Sequence, residues 1–122
     1  MPQKQQPRCS ILIVDDDSLV SGALARILNR RGHPTIAVGT VANGLAELDG
    51  QGFAILDLNL PDGLGTTILE QIRADKRPIR VAVATGTTDA GLLSEAARLR
   101  PDLLLQKPYD MNVLIRWLDS AG

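Results

Sequence analysis

One cysteine, Cys9, stands among the 122 residues, so no intrachain disulfide can form. A reducing compartment suits such a chain. Aromatic residues make up 2% of the sequence, namely Phe53, Tyr109 and Trp117, too few for a platform that stacks unpaired bases. Neither sign of charge is in excess. Thirteen Lys and Arg against fourteen Asp and Glu leave a net charge of −1, which gives no reason to expect a polyanion partner. No apolar run approaches the roughly 18 residues that a membrane span needs. The opening MPQKQQPRC lacks the apolar stretch of a signal peptide. These shortages lead us to expect a cytoplasmic chain with a loose tail over 1–9, no membrane partner and no direct nucleic-acid contact.

What remains is ordinary for a globular domain: 44% apolar and 22% charged residues. The length allows one domain with a real core. Short apolar runs predict strands over 10–14, 34–38, 53–57, 79–84 and 103–106. Helical spacing of apolar residues predicts helices over 18–31, 40–49, 64–74, 89–98 and 110–119. Asp17 or Ser18 can cap the first helix and Gly32 can close it. Its apolar set is Leu19, Val20, Ala23, Leu24, Ile27 and Leu28, with Leu19 and Leu28 at the edges of the stripe. Asn43-Gly44 weakens the second helix. The third faces inward with Ile68, Leu69 and Ile72, the fourth with Leu92, Leu93, Ala96 and Ala97, and the fifth with Met111, Leu114 and Leu118. Strand–helix alternation over 10–122 calls for a parallel sheet with helices on both faces and right-handed crossovers.

In such a sheet the carboxyl ends of the strands share one edge, where open α/β folds keep their ligands. The first strand would bring Asp15 and Asp16 there, the third Asp57, the fourth Thr85 and the fifth Lys107. Carboxylates that close raise one another's pKa unless a cation joins them. All-oxygen ligands suit a hard divalent ion such as Mg²⁺, which keeps several waters and takes one or two carboxylates plus phosphate. The open coordination positions, the lysine and the hydroxyl then suit an incoming phosphoryl group. Taken singly these residues are bland: Asp17 is a helix cap, Thr85 a turn hydroxyl, Lys107 a surface lysine. His33 reads as a surface turn residue without a partner. Trp117 reads either as half-buried packing or as part of a contact face with Tyr109 and Val113.

The chain resembles the receiver domain of two-component response regulators over 10–121. The matching pieces are ILIVDDD at 11–17, DLNLPDG at 57–63 with Gly65 after it, VAVATG at 81–86 and QKP at 106–108. The resemblance implies an α/β, flavodoxin-like three-layer sandwich: a five-stranded parallel sheet of order 2-1-3-4-5 with five helices. It implies a phosphoacceptor switch of a two-component phosphorelay, with at most self-catalysed phosphotransfer and dephosphorylation. In that reading Asp57 is the nucleophile that accepts the phosphoryl group. Asp16 binds Mg²⁺ (or Mn²⁺) directly, Asp15 holds metal waters, and Asp57 and the Asn59 carbonyl complete the metal site. Thr85 and Lys107 bond phosphoryl oxygens, and the Lys107–Pro108 bond is cis. Asn59 and Thr87, each two residues beyond a key position, modulate dephosphorylation. The implied phosphodonor is a sensor histidine kinase or a histidine phosphotransfer protein, docking near Leu19. An output partner or domain of unknown kind would read the fourth helix, fifth strand and fifth helix. A second copy of the chain stays open as a further partner.

Three departures from the family pattern bear on switching. Leu104 stands where the family usually has Tyr or Phe, three residues before the lysine. Gly86 replaces the commoner Ala after Thr85. The segment Arg100-Pro101-Asp102-Leu103 lacks the acidic pair associated with dimer contacts in winged-helix regulators. Two other functions remain open from the residues alone. A haloacid-dehalogenase-like phosphatase would use Asp15 as nucleophile, but it needs a further acidic pair on a strand end after the lysine, where only Asp110 and Asp119 follow. A non-phosphorylated binding scaffold of the same fold would leave the polar set idle.

Overall fold

The computed structural model describes residues 10–120. The expected tail over 1–9, with Cys9, lies outside the described residues. The chain runs through β1 (Ser10–Val14), α1 (Ser18–Arg30), β2 (Thr35–Val38), α2 (Val41–Ala46) and β3 (Gln51–Leu56). Two short strands follow, β4 (Asn59–Leu60) and β5 (Gly63–Leu64), then α3 (Gly65–Ala74). The remainder is β6 (Arg80–Thr85), α4 (Ala90–Arg98), β7 (Leu103–Gln106) and α5 (Met111–Ser120). The main sheet is parallel, in the order β2-β1-β3-β6-β7. That is the predicted 2-1-3-4-5 order, counted over its five strands. Among the described residues no helix is long and apolar enough to cross a membrane.

Side chains alternate across a strand, so each central strand feeds two cores. On one side Leu12, Val14, Leu56 and Val83 pack with Ile68, Leu69 and Ile72 of α3. On the other, Ile11, Ile13, Phe53 and Ile55 pack with Leu24 and Leu28 of α1 and Leu114 and Leu118 of α5. Truncating one such Leu or Ile to Ala costs about 2–5 kcal/mol. Trp117 belongs to the second core, edge-on to the Phe53 ring with centroids 5.2 Å apart at 79°. It is therefore packing rather than part of an open contact face.

Several helix signals act as expected. The Asp17 side chain accepts the Val20 N–H and caps α1. At the other end Gly32, at φ 91°, donates to the Asn29 carbonyl while His33 N–H reaches the Leu28 carbonyl, the paired bonds of a glycine-closed helix. The stripe is narrower than predicted. Leu28 is fully buried, but Leu19 is 85% exposed and Val20 and Ile27 are also exposed. Ser21, Leu24 and Leu28 make the buried face, and Leu19, nine residues before Leu28, points about 180° away from Leu28 at 100° per residue, toward solvent. In α4, Ala96 is buried and Ala97 is exposed.

Helix α2 ends at Ala46, shorter than the predicted 40–49. Gly44 weakens it and is closely packed there: a Cβ on Gly44 would lie 2.7 Å from Ile68 Cδ1 and 3.0 Å from Val14 Cγ2. The close seating of α2 on β1 and α3 thus admits a Cβ only if the Ile68 and Val14 side chains shift. The β4–β5 hairpin was not predicted, because two-residue strands carry no periodicity. His33 is not a free surface residue: its Nε2 lies 3.5 Å from Asp119 Oδ1, and its Nδ1 is buried with no partner among the described residues.

Candidate functional site

The sheet edge is built from backbone first. Beyond the ends of β1, β3 and β7 the ladder continues by one bond each. Asp15 N–H reaches the Val38 carbonyl at 3.0 Å, Asp57 N–H the Val14 carbonyl at 2.9 Å, and Lys107 N–H the Thr85 carbonyl at 2.8 Å. The functional side chains therefore leave the sheet from positions that hydrogen bonds still fix. Behind Asp57 the chain turns sharply and Gly65 lies against it. Its N–H bonds the Leu58 carbonyl, and a Cβ there would overlap the Asp57 carbonyl. Only glycine fits this return.

Asp15, Asp16 and Asp57 each present a carboxylate oxygen within 4.8 Å of the others. The Lys107 ammonium lies 2.7 Å from Asp15 Oδ2 and 3.2 Å from Asp57 Oδ2. The remaining oxygens are also engaged: Asp15 Oδ1 accepts the Asp17 N–H and Asp57 Oδ1 the Leu58 N–H. Burial works to lower the Lys107 pKa. The hydrogen bond that the ammonium donates to Asp15 and the charges of Asp57 and Asp15 outweigh it, so the ammonium is held above its ordinary value. One fixed cation thus permits two carboxylates to face each other, with Asp16 exposed beside them.

Thr85 ends β6 on the same edge. Leu56 pairs with Val83, so Asp57 and Thr85 leave neighbouring strands one residue apart in register. The Thr85 side chain is buried, and its hydroxyl oxygen accepts the Thr87 N–H at 3.1 Å. That leaves the hydroxyl proton available for a further acceptor. Thr87 Oγ1 accepts the Asp89 N–H, so it lies in the turn before α4. Gly86 is exposed, and a Cβ there would meet Lys107 Cβ at 3.9 Å, an ordinary contact. Asn59 opens the hairpin and is exposed. Leu104 is 45% exposed on edge strand β7, opposite Val83. The Lys107–Pro108 bond is cis, as expected.

Some contributors carried no sequence signal. Tyr109 lines a small cavity with Asp15, Asp57, Lys107, Val20 and Ser21. Burial, with Lys107 opposing and Asp15 adding, raises its hydroxyl pKa. Gln106 donates from Nε2 to the Thr87 carbonyl at 2.9 Å and ties β7 to the β6–α4 turn. The sole hint of this was its place before Lys107-Pro108. Asp62, inside the DLNLPDG stretch, bonds to α2 rather than to the carboxylate group.

The sequence model of the response regulator receiver domain matches residues 11–119. The chain belongs to this family. It is 32% identical over 115 residues to the photosynthetic apparatus regulatory protein RegA of Rhodobacter capsulatus, covering 93% of this chain and 62% of RegA. It is 33% identical over 111 residues to the acid tolerance regulatory protein ActR of Rhizobium meliloti, covering 89% of this chain and 57% of ActR. The chain thus spans less than two thirds of either relative's length. Its fold superposes on a CheY-like receiver domain protein of Methanospirillum hungatei with a TM-score of 0.85, at 25% identity and 93% coverage of both chains. Receiver domains are signalling domains of two-component systems and interact with histidine kinases and output domains. The predicted flavodoxin-like fold is thereby established.

Proposed function

We propose that residues 10–122 form a receiver domain whose Asp57 takes a phosphoryl group from a partner phosphohistidine. The observation that carries this reading is the gathering of Asp15, Asp16 and Asp57 within 4.8 Å beside an ammonium that bridges two of them. This oxygen-only donor set fits a hard divalent ion, Mg²⁺ or Mn²⁺. Asp16 would ligate it directly with Asp57 and the Asn59 carbonyl, and Asp15 would hold its waters. When bound, the ion offsets charge on the phosphoryl oxygens.

The chain's own groups do the rest. A carboxylate oxygen of Asp57 attacks the phosphorus in line with the P–N bond. That bond breaks, its electron pair leaves with the imidazole, and the ring regains its proton balance from solvent. Lys107 pairs with one phosphoryl oxygen and the Thr85 hydroxyl donates to another. Thr87, with Asn59, lines the route of water to the acyl phosphate and sets its lifetime. Movement at Thr85 alters the face of α4, β7 and α5, without an aromatic ring at Leu104 to follow it. An output partner or domain would read that face. The Leu19 end of α1 receives the phosphodonor, and its 85% exposure supports this. A cytoplasmic setting suits a kinase partner and a lone cysteine.

Incubation with acetyl phosphate and Mg²⁺ tests the reading by mass spectrometry. One phosphoryl group per chain, absent in Asp57→Asn, is the expected result. Phosphate turnover that survives Asp57→Asn would instead make Asp15 the nucleophile of a phosphatase. A Leu19→Ser variant should slow transfer from the cognate kinase, and an unchanged rate would remove α1 from the docking site.

A further inference from the structure

The hairpin after Asp57 is held from an unexpected direction. Strands β4 and β5 have two residues each, and an isolated hairpin of this size is at best marginally stable in water. Residues 61–64 are exposed. Asp62, at the tip, turns its carboxylate to the first turn of α2. Oδ1 accepts the Val41 N–H at 2.7 Å and Oδ2 the Ala42 N–H at 3.0 Å. Thr40 Oγ1 accepts the Asn43 N–H, and the Gly44 N–H returns to the Thr40 carbonyl. So of the three first-turn donors without a helical partner, Asp62 takes two and the cap takes the third. The Val41 and Ala42 amides hold the Asp62 carboxyl below its usual value against the opposing effect of desolvation, so it stays ionised at neutral pH.

Helix α2 is a fixed reference for this contact. Val41 and Gly44 are buried, and Gly44 is seated against Val14, the residue before Asp15. A continuous path therefore runs from Asp15 and Asp16 through Val14, α2 and Asp62 to the hairpin that carries Asn59. We infer that Asp62 is a positioning residue: by clamping the β4–β5 hairpin to α2 it sets the Asn59 backbone carbonyl against the carboxylates of Asp15, Asp16 and Asp57. This rests on the metal-assisted reading above. Asp62 itself touches neither metal nor phosphoryl group.

The bland alternative is that Asp62 only caps α2, and Thr40→Ala is the control for it. Both variants remove a cap from α2, but only Asp62→Ala releases the hairpin. Calorimetric titration with Mg²⁺ should show an affinity about 10-fold weaker in Asp62→Ala, the scale for groups that orient metal ligands. Thr40→Ala should stay within twofold of wild type. In the metal-free proteins, amide hydrogen exchange across 58–64 should accelerate in Asp62→Ala and not in Thr40→Ala. Asp62→Asn keeps one acceptor oxygen, should fall between, and serves if the alanine variant does not fold. An Asp62→Ala affinity equal to wild type, or an equal loss in Thr40→Ala, overturns the inference. A wild type that binds no Mg²⁺ overturns the functional reading instead, and the exchange result then judges the clamp alone.

Discussion

Asp15 and Lys107, ninety-two positions apart in sequence, meet at 2.7 Å across the carboxyl edge of the sheet. The contact is a charge-assisted hydrogen bond in a partly buried place, and it relieves the repulsion between Asp15 and Asp57. Replacing Lys107 with Ala removes the one cation that faces both groups among the described residues. Phosphoryl uptake from acetyl phosphate should fall about 100-fold, the scale for deleting one electrostatic stabiliser. Circular dichroism should stay unchanged, because both cores are untouched. Uptake at the wild-type rate would show that Lys107 is a structural bridge only.

Two glycines near the site predict opposite tolerances. A Cβ on Gly65 would strike the Asp57 carbonyl, which is backbone and cannot step aside. Gly65→Ala should cost at least about 3 kcal/mol in urea unfolding, the upper range for overpacking. In Gly44→Ala the nearest atom is Ile68 Cδ1, the end of a side chain that can rotate. The better helix propensity of Ala, worth about 1 kcal/mol, offsets part of that strain. Its net loss should be smaller than that of Gly65→Ala, and equal losses would contradict the backbone argument.

The end of α5 is tied to the turn after α1 by Arg31 and Asp119 at 2.7 Å. The Arg31 hydrogen bond, with a smaller one from His33 and against desolvation, holds the Asp119 carboxyl below its ordinary 3.8. A depressed folded value means the pair stabilises the protein above pH 3.8 and loses that effect as pH falls through the folded value. Arg31→Ala should move the Asp119 titration midpoint upward, read by carboxyl carbon NMR. A midpoint that stays put would assign the shift to other groups.

Gln106 holds the β6–α4 turn through the Thr87 carbonyl. Gln106→Leu should raise hydrogen exchange at the amides of Thr87 and Asp89 by roughly 2- to 12-fold, the equivalent of one net hydrogen bond of about 0.5–1.5 kcal/mol. Global stability should barely change, since Gln106 is exposed. If exchange in this turn is unaltered, Gln106 plays no part in restraining Thr85 and its neighbours.

The fold was legible because its signals are local. Apolar runs of four to six residues alternating with helical stripes specify the order of elements. Parallel packing and handedness follow from that order. The same logic brings Asp15, Asp57, Thr85 and Lys107 to one edge, since each directly follows or ends a strand. Exposure was read less well. Leu19 and Leu28 looked equivalent at the edges of one stripe, yet one is exposed and the other buried, because the sheet covers only the narrow face of Ser21, Leu24 and Leu28, and Leu19 points the other way.

By itself, then, the sequence determined the strand and helix order, the polar constellation and the missing aromatic at Leu104, all of which are written in residue type and spacing. The tertiary structure alone decided which distant groups touch. The meeting of Asp62 with Val41 and Ala42, of His33 and Arg31 with Asp119, and of Gly65 with Asp57 depends on where loops fold back. Loops have no period to announce their course, and a hydrogen bond forms only when donor and acceptor come within about 3 Å.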